Sequence, residues 1–358
     1  MSYKSYSRII ILSSFTMFIA CFMIWHFSLS EAFLRHGDLS RLGSTNLMQT
    51  TLIRKPNYSK IHKEFRDYLN EDSHEQFDII TIGSSCSNGG GGAYYQDYIT
   101  DTYGLKVLNV PCVNLQQPQI FAALAVKGYI ERVRPKYVIL ECVERYFPDI
   151  AGWKTDISEQ MADKFLHEVR SYDADVMNDN ANKGFIPLIM VRACVRLVLD
   201  RLYAMRHPDS ISPQVMRAGL NEELFSGLKE PQTLYYYADD RNYLRGEFDI
   251  RNINESLNMV NKFAADNNVK FVFLGVPNKH SVYLPYIASD DMLPENNSFT
   301  RLEAAKKDYI FVNVKNILRE LLSAERMKDL YWGDDTHWSY KAHKFVGDYL
   351  VNSLFPPK

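Results

Sequence analysis

Hydrophobic positions along the chain fall into two regimes. Between residues 9 and 29 they run almost unbroken, through Ile9, Leu12, Phe15, Phe18, Ile19, Phe22, Ile24 and Leu29, with no Asp, Glu, Lys or Arg among them. About 20 such residues cross the hydrocarbon of a bilayer, so the pattern predicts a transmembrane helix. Beyond residue 75, short apolar runs alternate with longer segments that repeat apolar residues every three or four positions. Segments 77–82, 105–110 and 137–141 read as buried strands; 93–100 and 119–133 read as helices, the second ended by Pro135. Later come a helix at 253–267, strands at 269–276 and 309–314, a helix at 315–324 and a closing helix at 340–354. In between, 157–170 and 188–205 read as helices and Tyr235-Tyr236-Tyr237 as part of a loop.

Strands alternating with helices predict an α/β fold, a mostly parallel sheet flanked by helices. To it are added a helical insertion at about 150–250 and the N-terminal transmembrane helix. The expected organisation is a membrane anchor over 1–30, a polar stalk of mixed charge over 31–74 with one helix near 61–69, and a catalytic domain over 75–358. Lys4 and Arg8 precede the apolar run and Glu31 follows it, which places the N-terminus in the cytoplasm and the domain outside. The expectation is therefore a single-pass protein of the inner or cytoplasmic membrane with an extracytoplasmic domain. A cleaved signal peptide is the alternative; the run is long for one, and no small-x-small cleavage site follows it.

In an open α/β sheet, ligands bind at the carboxyl ends of the strands. The turn at Ser84-Ser85, the loop 109–114, the segment 141–145 and the loop after Pro277 all follow predicted strands and converge on that edge. Ser85 is the candidate nucleophile. The glycines at 89–92 allow close backbone approach and amides aimed at a developing oxyanion. Near the C-terminus, Asp334-Asp335-Thr336-His337-Trp338-Ser339 offers a base, His337, and an orienting acid, Asp335, with Asp334 as its competitor. Trp338 either packs beneath the histidine or presents a face to a sugar ring. The simpler reading of this segment is a solvated loop whose Asp or Ser caps the last helix.

Charge changes little: 41 basic against 43 acidic residues give a net −2, so nothing favours nucleic acid as a partner. The five cysteines fit no zinc spacing. Cys86, Cys112 and Cys142 each follow a predicted strand, and are either an oxidisable set in an exported domain or free buried thiols. No metal and no organic cofactor is expected.

Gly83-Ser84-Ser85, Asn109-Val110-Pro111-Cys112-Val113-Asn114 and Asp335-Thr336-His337-Trp338-Ser339 together resemble the SGNH-type esterase and acyltransferase superfamily. Within it, the chain is most similar to extracytoplasmic proteins that O-acetylate alginate and related exopolysaccharides. Segments 140–146 and 277–283 add to that similarity, and the anchor with Gly-Ser-Ser resembles the D-alanine transfer protein of teichoic acid modification. The resemblance rests on five short segments between residues 77 and 345. It implies Ser85 as nucleophile, His337 as base, Asp335 as orienter and a membrane-bound O-acyltransferase as partner. The chain departs from the pattern in three ways. The Asp-His segment follows the serine, as in ordinary SGNH enzymes but not the alginate proteins. Gly-Ser-Ser replaces Gly-Asp-Ser. Asn114 stands where an oxyanion glycine is expected, and Glu144 or Arg145 where the asparagine is. Arg145 binds an anionic group or pairs with Glu144, and Lys279 either joins the site or braces its loop. The expected function is a membrane-anchored O-acyltransferase, acetyl being the expected group, acting on a cell-surface or exported polysaccharide. A carbohydrate esterase with the same triad, and a non-catalytic scaffold or binding module of a polysaccharide export complex, are the alternatives.

Overall fold

The computed structural model describes residues 3–26, 37–49, 61–70, 75–112, 116–172, 186–240, 248–288 and 295–356. The core strands are apolar at nearly every position because both faces of the sheet are covered. Strands β1 (Lys63–Glu64), β2 (Ile79–Gly83), β3 (Val107–Pro111) and β4 (Tyr137–Val143) lie in one sheet. A second, small sheet contains β5 (Ser210–Ser212), β6 (Val215–Gly219) and β7 (Thr233–Tyr237), before β8 (Lys270–Val276) and β9 (Ile310–Asn313) complete the first. The six-stranded sheet runs β1-β3-β2-β4-β8-β9, and every pairing in it is parallel.

Alternate side chains of each strand go to opposite layers. Ile79, Val107, Ile139, Val272 and Leu274 face the helices Tyr95–Tyr103, Val314–Ser323 and Tyr340–Leu354, through Ile99, Leu318, Val346 and Leu350. Ile80, Ile82, Leu108, Leu140 and Phe273 face the helices Gln117–Val126, Glu159–Ser171 and Ile250–Asp266, through Phe121, Leu166 and Leu257. The structure is thus an α/β sandwich around a parallel sheet. The helix predicted at 119–133 is in fact two, Gln117–Val126 and Tyr129–Val133, separated at Gly128, whose φ is +71°. The N-terminal helix Tyr3–Ile24 has 22 residues, buries none of them, and is long and apolar enough to cross a membrane.

Two expectations need correction. The insertion is not purely helical. After the helices Glu159–Ser171 and Ile186–Arg206 it forms the antiparallel sheet β5-β6-β7, and Tyr235–Tyr237 belong to β7, where Tyr235 and Tyr236 are buried in the main core. Residues 37–49 and 61–70, expected in a stalk, join the domain instead. Leu39, Leu47 and Met48 enter the core, Lys63–Glu64 pair with β3, and Phe65 and Tyr68 of the following helix pack on the other face.

Candidate active site

Starting from β2, the five longer strands of the main sheet take the spatial order 2-1-3-4-5, so the chain reverses direction between β2 and β4. Such a switch point opens a crevice at the carboxyl edge. Ser84 and Ser85 leave β2 there. Glu141, near the end of β4, is fully buried, and its carboxylate accepts hydrogen bonds from Ser84 Oγ (2.7 Å) and Ser87 Oγ. One carboxylate therefore grips both ends of the turn that carries Ser85. Burial raises the Glu141 pKa, while the two serine hydroxyls pull it back. The turn closes through Gly90 N–H donating to the Ser85 carbonyl (2.6 Å), and Asn88 Nδ2 donates to the Gly83 carbonyl (3.0 Å).

His337 arrives from the other end of the chain. An antiparallel bridge between Tyr331 and Trp338 closes its loop, and Ser339 caps the helix Tyr340–Leu354 by accepting from Lys341 N–H (3.2 Å). Within the loop, His337 Nδ1 lies 2.6 Å from Asp335 Oδ1, which also accepts the His337 backbone N–H. That leaves Nε2 as the working nitrogen of the ring. Asp334, the competing acid, turns away. Its carboxylate accepts from Gly37 N–H (2.9 Å) and Ser40 Oγ (3.3 Å), and its carbonyl accepts from Leu39 and Ser40 N–H.

Gly90 separates the serine turn from the histidine. A Cβ there would stand 2.7 Å from the Ser85 carbonyl oxygen and 2.8 Å from His337 Nε2, so both groups border one point in space. A side chain at that position would push them apart. Gly91, with φ +80°, is pressed against the Trp338 backbone and the His337 Cβ, and its carbonyl accepts from Trp332 Nε1 (2.8 Å). Among the described residues, neither the hydroxyl nor the amide of Ser85 has a hydrogen-bond partner, His337 included.

Asp38 is a participant that the sequence did not reveal. It lies 14 residues beyond the N-terminal helix, yet it accepts Thr336 N–H (2.8 Å) and the Thr336 hydroxyl, and lies 3.8 Å from His337 Nδ1. Burial and the Asp335 charge raise the Asp38 pKa to about 6. Burial lowers the His337 pKa, but the Asp335 charge and hydrogen bond, followed by Asp38, outweigh it and leave the value raised. Donor atoms of Asp38, Asp335 and His337 all lie within 4.8 Å of one another, close enough for a metal ion. A metal would have to displace the 2.6 Å hydrogen bond that now occupies Nδ1.

The other expected site residues divide. The Arg145 charge opposes the rise in the His337 pKa. Its guanidinium lies beside the Tyr146 and Tyr237 rings, and its Nη1 is 3.5 Å from Asp240 Oδ1. It pairs with Asp240, not with Glu144. Burial raises the Asp240 pKa to about 7, with Arg145 opposing the rise.

Glu144 is fully buried, 3.2 Å from Lys315 Nζ, and accepts Asn278 N–H (3.0 Å), so it ties β4 to the helix Val314–Ser323 and has no face toward a substrate. Lys279 is also buried; Nζ donates to the carbonyls of Trp332 (2.8 Å) and Gly333 (2.7 Å) and lies over the Phe225 ring, so it braces the histidine loop. Trp338 is fully buried and donates to Tyr331 Oη (3.0 Å), which removes it as a platform for a sugar. Asn114 lies outside the described residues. No disulfide joins any of the five cysteines, and burial raises the pKa of the Cys86 and Cys142 thiols well above the ordinary value. The acid at position 141 within an apolar run was the one visible hint of the Glu141 clamp; Asp38 left no local hint.

No family model matches the chain, and no curated protein does.

Proposed function

We propose that this protein is a serine-dependent O-acyltransferase, anchored by its N-terminal helix, that transfers an acyl group, acetyl being the expected one, to a hydroxyl of an extracytoplasmic polysaccharide. The observation that carries the reading is that the Ser85 carbonyl and His337 Nε2 both border the Gly90 position, with Nδ1 held by Asp335. Ser85 Oγ attacks the acyl carbon and its proton passes to Nε2; Asp335 and Asp38 stabilise the imidazolium. Expulsion of the donor's leaving group returns that proton to it and leaves the acyl ester on Ser85. A sugar hydroxyl then attacks the ester, gives its proton to Nε2, and Ser85 Oγ recovers it on departure. The Ser85 amide, without a partner among the described residues, is available to the oxyanion in both steps. Apo sites of this kind often lack a formed serine–histidine hydrogen bond, which tightens as substrate binds. A polytopic membrane O-acyltransferase is the partner that would deliver the acyl group.

The test is turnover of 4-nitrophenyl acetate by the full-length protein in detergent, with and without sugar oligomers as acceptors. Ser85→Ala and His337→Ala are each expected to lower kcat/KM by roughly a thousandfold or more. Acetylated oligomer as the product supports transfer, and acetate alone points to an esterase. Undiminished turnover in either variant rejects the site.

A further inference from the structure

The helix Ile186–Arg206 has no role in the proposed chemistry. It is fixed to the domain on one side: Arg196 donates to the Leu42 carbonyl (2.8 Å) and to Gln214 Oε1 (2.6 Å), and buried Asp200 accepts from Ser44 Oγ (2.7 Å). Ala193 and Cys194 are buried against Cys21 and Trp25, with the Cys194 thiol donating to the Cys21 carbonyl (3.4 Å). Another face is bare. Val195, Val198, Leu199, Leu202 and Met205 are 55%, 55%, 60%, 51% and 82% exposed. Their helical spacing makes one continuous apolar stripe, with Arg192 and Arg201 on its flanks and Arg206 at its end. A soluble domain rarely leaves such a stripe uncovered.

The place of contact says what covers it. The uncharged run of the anchor begins at Ile9, after Lys4 and Arg8, and ends in sequence at Leu29. Cys21 and Trp25 lie eight and four residues before that end, in the part of the run nearer the domain, and tryptophans gather towards the membrane boundary. The contact with Cys194 therefore brings the second helix to that part of the anchor, and the stripe begins at the very next residue. An amphipathic helix with arginines beside an apolar stripe is the pattern of one lying in a membrane interface.

We propose that Ile186–Arg206 is a second membrane contact, lying in the headgroup–acyl boundary of an anionic phospholipid bilayer with its apolar stripe in the acyl region and its arginines at the lipid phosphates. This rests on reading the N-terminal helix as a membrane anchor. The domain is then seated on the bilayer at two points, in keeping with a membrane-proximal segment, 37–49, that packs into the domain.

The test places tryptophan in the stripe. Full-length Leu202→Trp, reconstituted in phosphatidylcholine–phosphatidylglycerol vesicles with brominated acyl chains, is expected to lose most of the fluorescence that the new tryptophan adds. Met259→Trp, at an exposed apolar position on the helix Ile250–Asp266, is expected to keep it. Comparison of the native protein with Trp25→Phe reports separately on the anchor. If Trp25 is quenched and Leu202→Trp is not, the anchor stands and this proposal is overturned. Shielding of Leu202→Trp from aqueous acrylamide with self-association and no bromolipid quenching overturns it in favour of a second copy of the chain. If Trp25 itself is not quenched, the anchor reading fails and the proposal fails with it.

Discussion

Two carboxylates attend one ring nitrogen of His337: Asp335 at 2.6 Å and Asp38 at 3.8 Å. Both raise its pKa against the opposing effect of burial. In the proposed role His337 works in its neutral form, so activity is predicted to be lost as pH falls through a value above the ordinary histidine pKa of about 6.5. Removing a negative charge lowers that pKa. Asp38→Asn is therefore predicted to move the acid limb of the kcat/KM profile to lower pH, measured on acetyl ester turnover across pH 5 to 9; an unmoved limb assigns Asp38 a purely structural part. The local partnership of Asp335 and His337 was legible because two residues on one loop carry it. Asp38 was not, because its partner Thr336 is 298 positions away and nothing near Asp38 distinguishes it from a polar linker. The glycines at 89–92 were legible as unusual, but not for what they do. Gly90 and Gly91 leave room for the histidine loop to lie against the serine turn.

At the level of elements, the strands were readable because both faces of the sheet are covered, and an unbroken apolar run is the signature of that burial. Strands β5 to β7 escaped notice because they are short, and because a run of three tyrosines suggests a loop as readily as a strand. Glu144 and Lys279 were read as site candidates from their position after strands. Each instead satisfies a long-range need: Glu144 meets Lys315, 171 residues on, and Lys279 fastens the carbonyls of Trp332 and Gly333. The Glu144–Lys315 pair is almost wholly removed from water. Lys315→Met, which strands the glutamate, is predicted to destabilise the fold by about 3–5 kcal/mol in urea unfolding. The double replacement with Glu144→Gln is predicted to recover much of the loss, and additive losses would contradict a direct partnership.

For the whole molecule, the candidate site is assembled from segments near both ends of the chain. Residues 37–49 enter the core and supply Asp38, β1 extends the sheet, and the segment 330–339 brings His337 back across them. A chain cut to residues 75–358, the domain that the apolar pattern alone suggests, is predicted to lose its cooperative thermal transition by circular dichroism, while one beginning at residue 37 keeps it. Equal transitions would mean that residues 37–74 add little. Acyl transfer as proposed requires Ser85 to carry the acyl group, and peptide mass spectrometry of the full-length protein, quenched in acid during turnover of 4-nitrophenyl acetate, reads that directly. It is predicted to find the acetyl group on Ser85, and none there in Ser85→Ala or His337→Ala; acetyl on another residue, or an unlabelled Ser85 in an active protein, would contradict it.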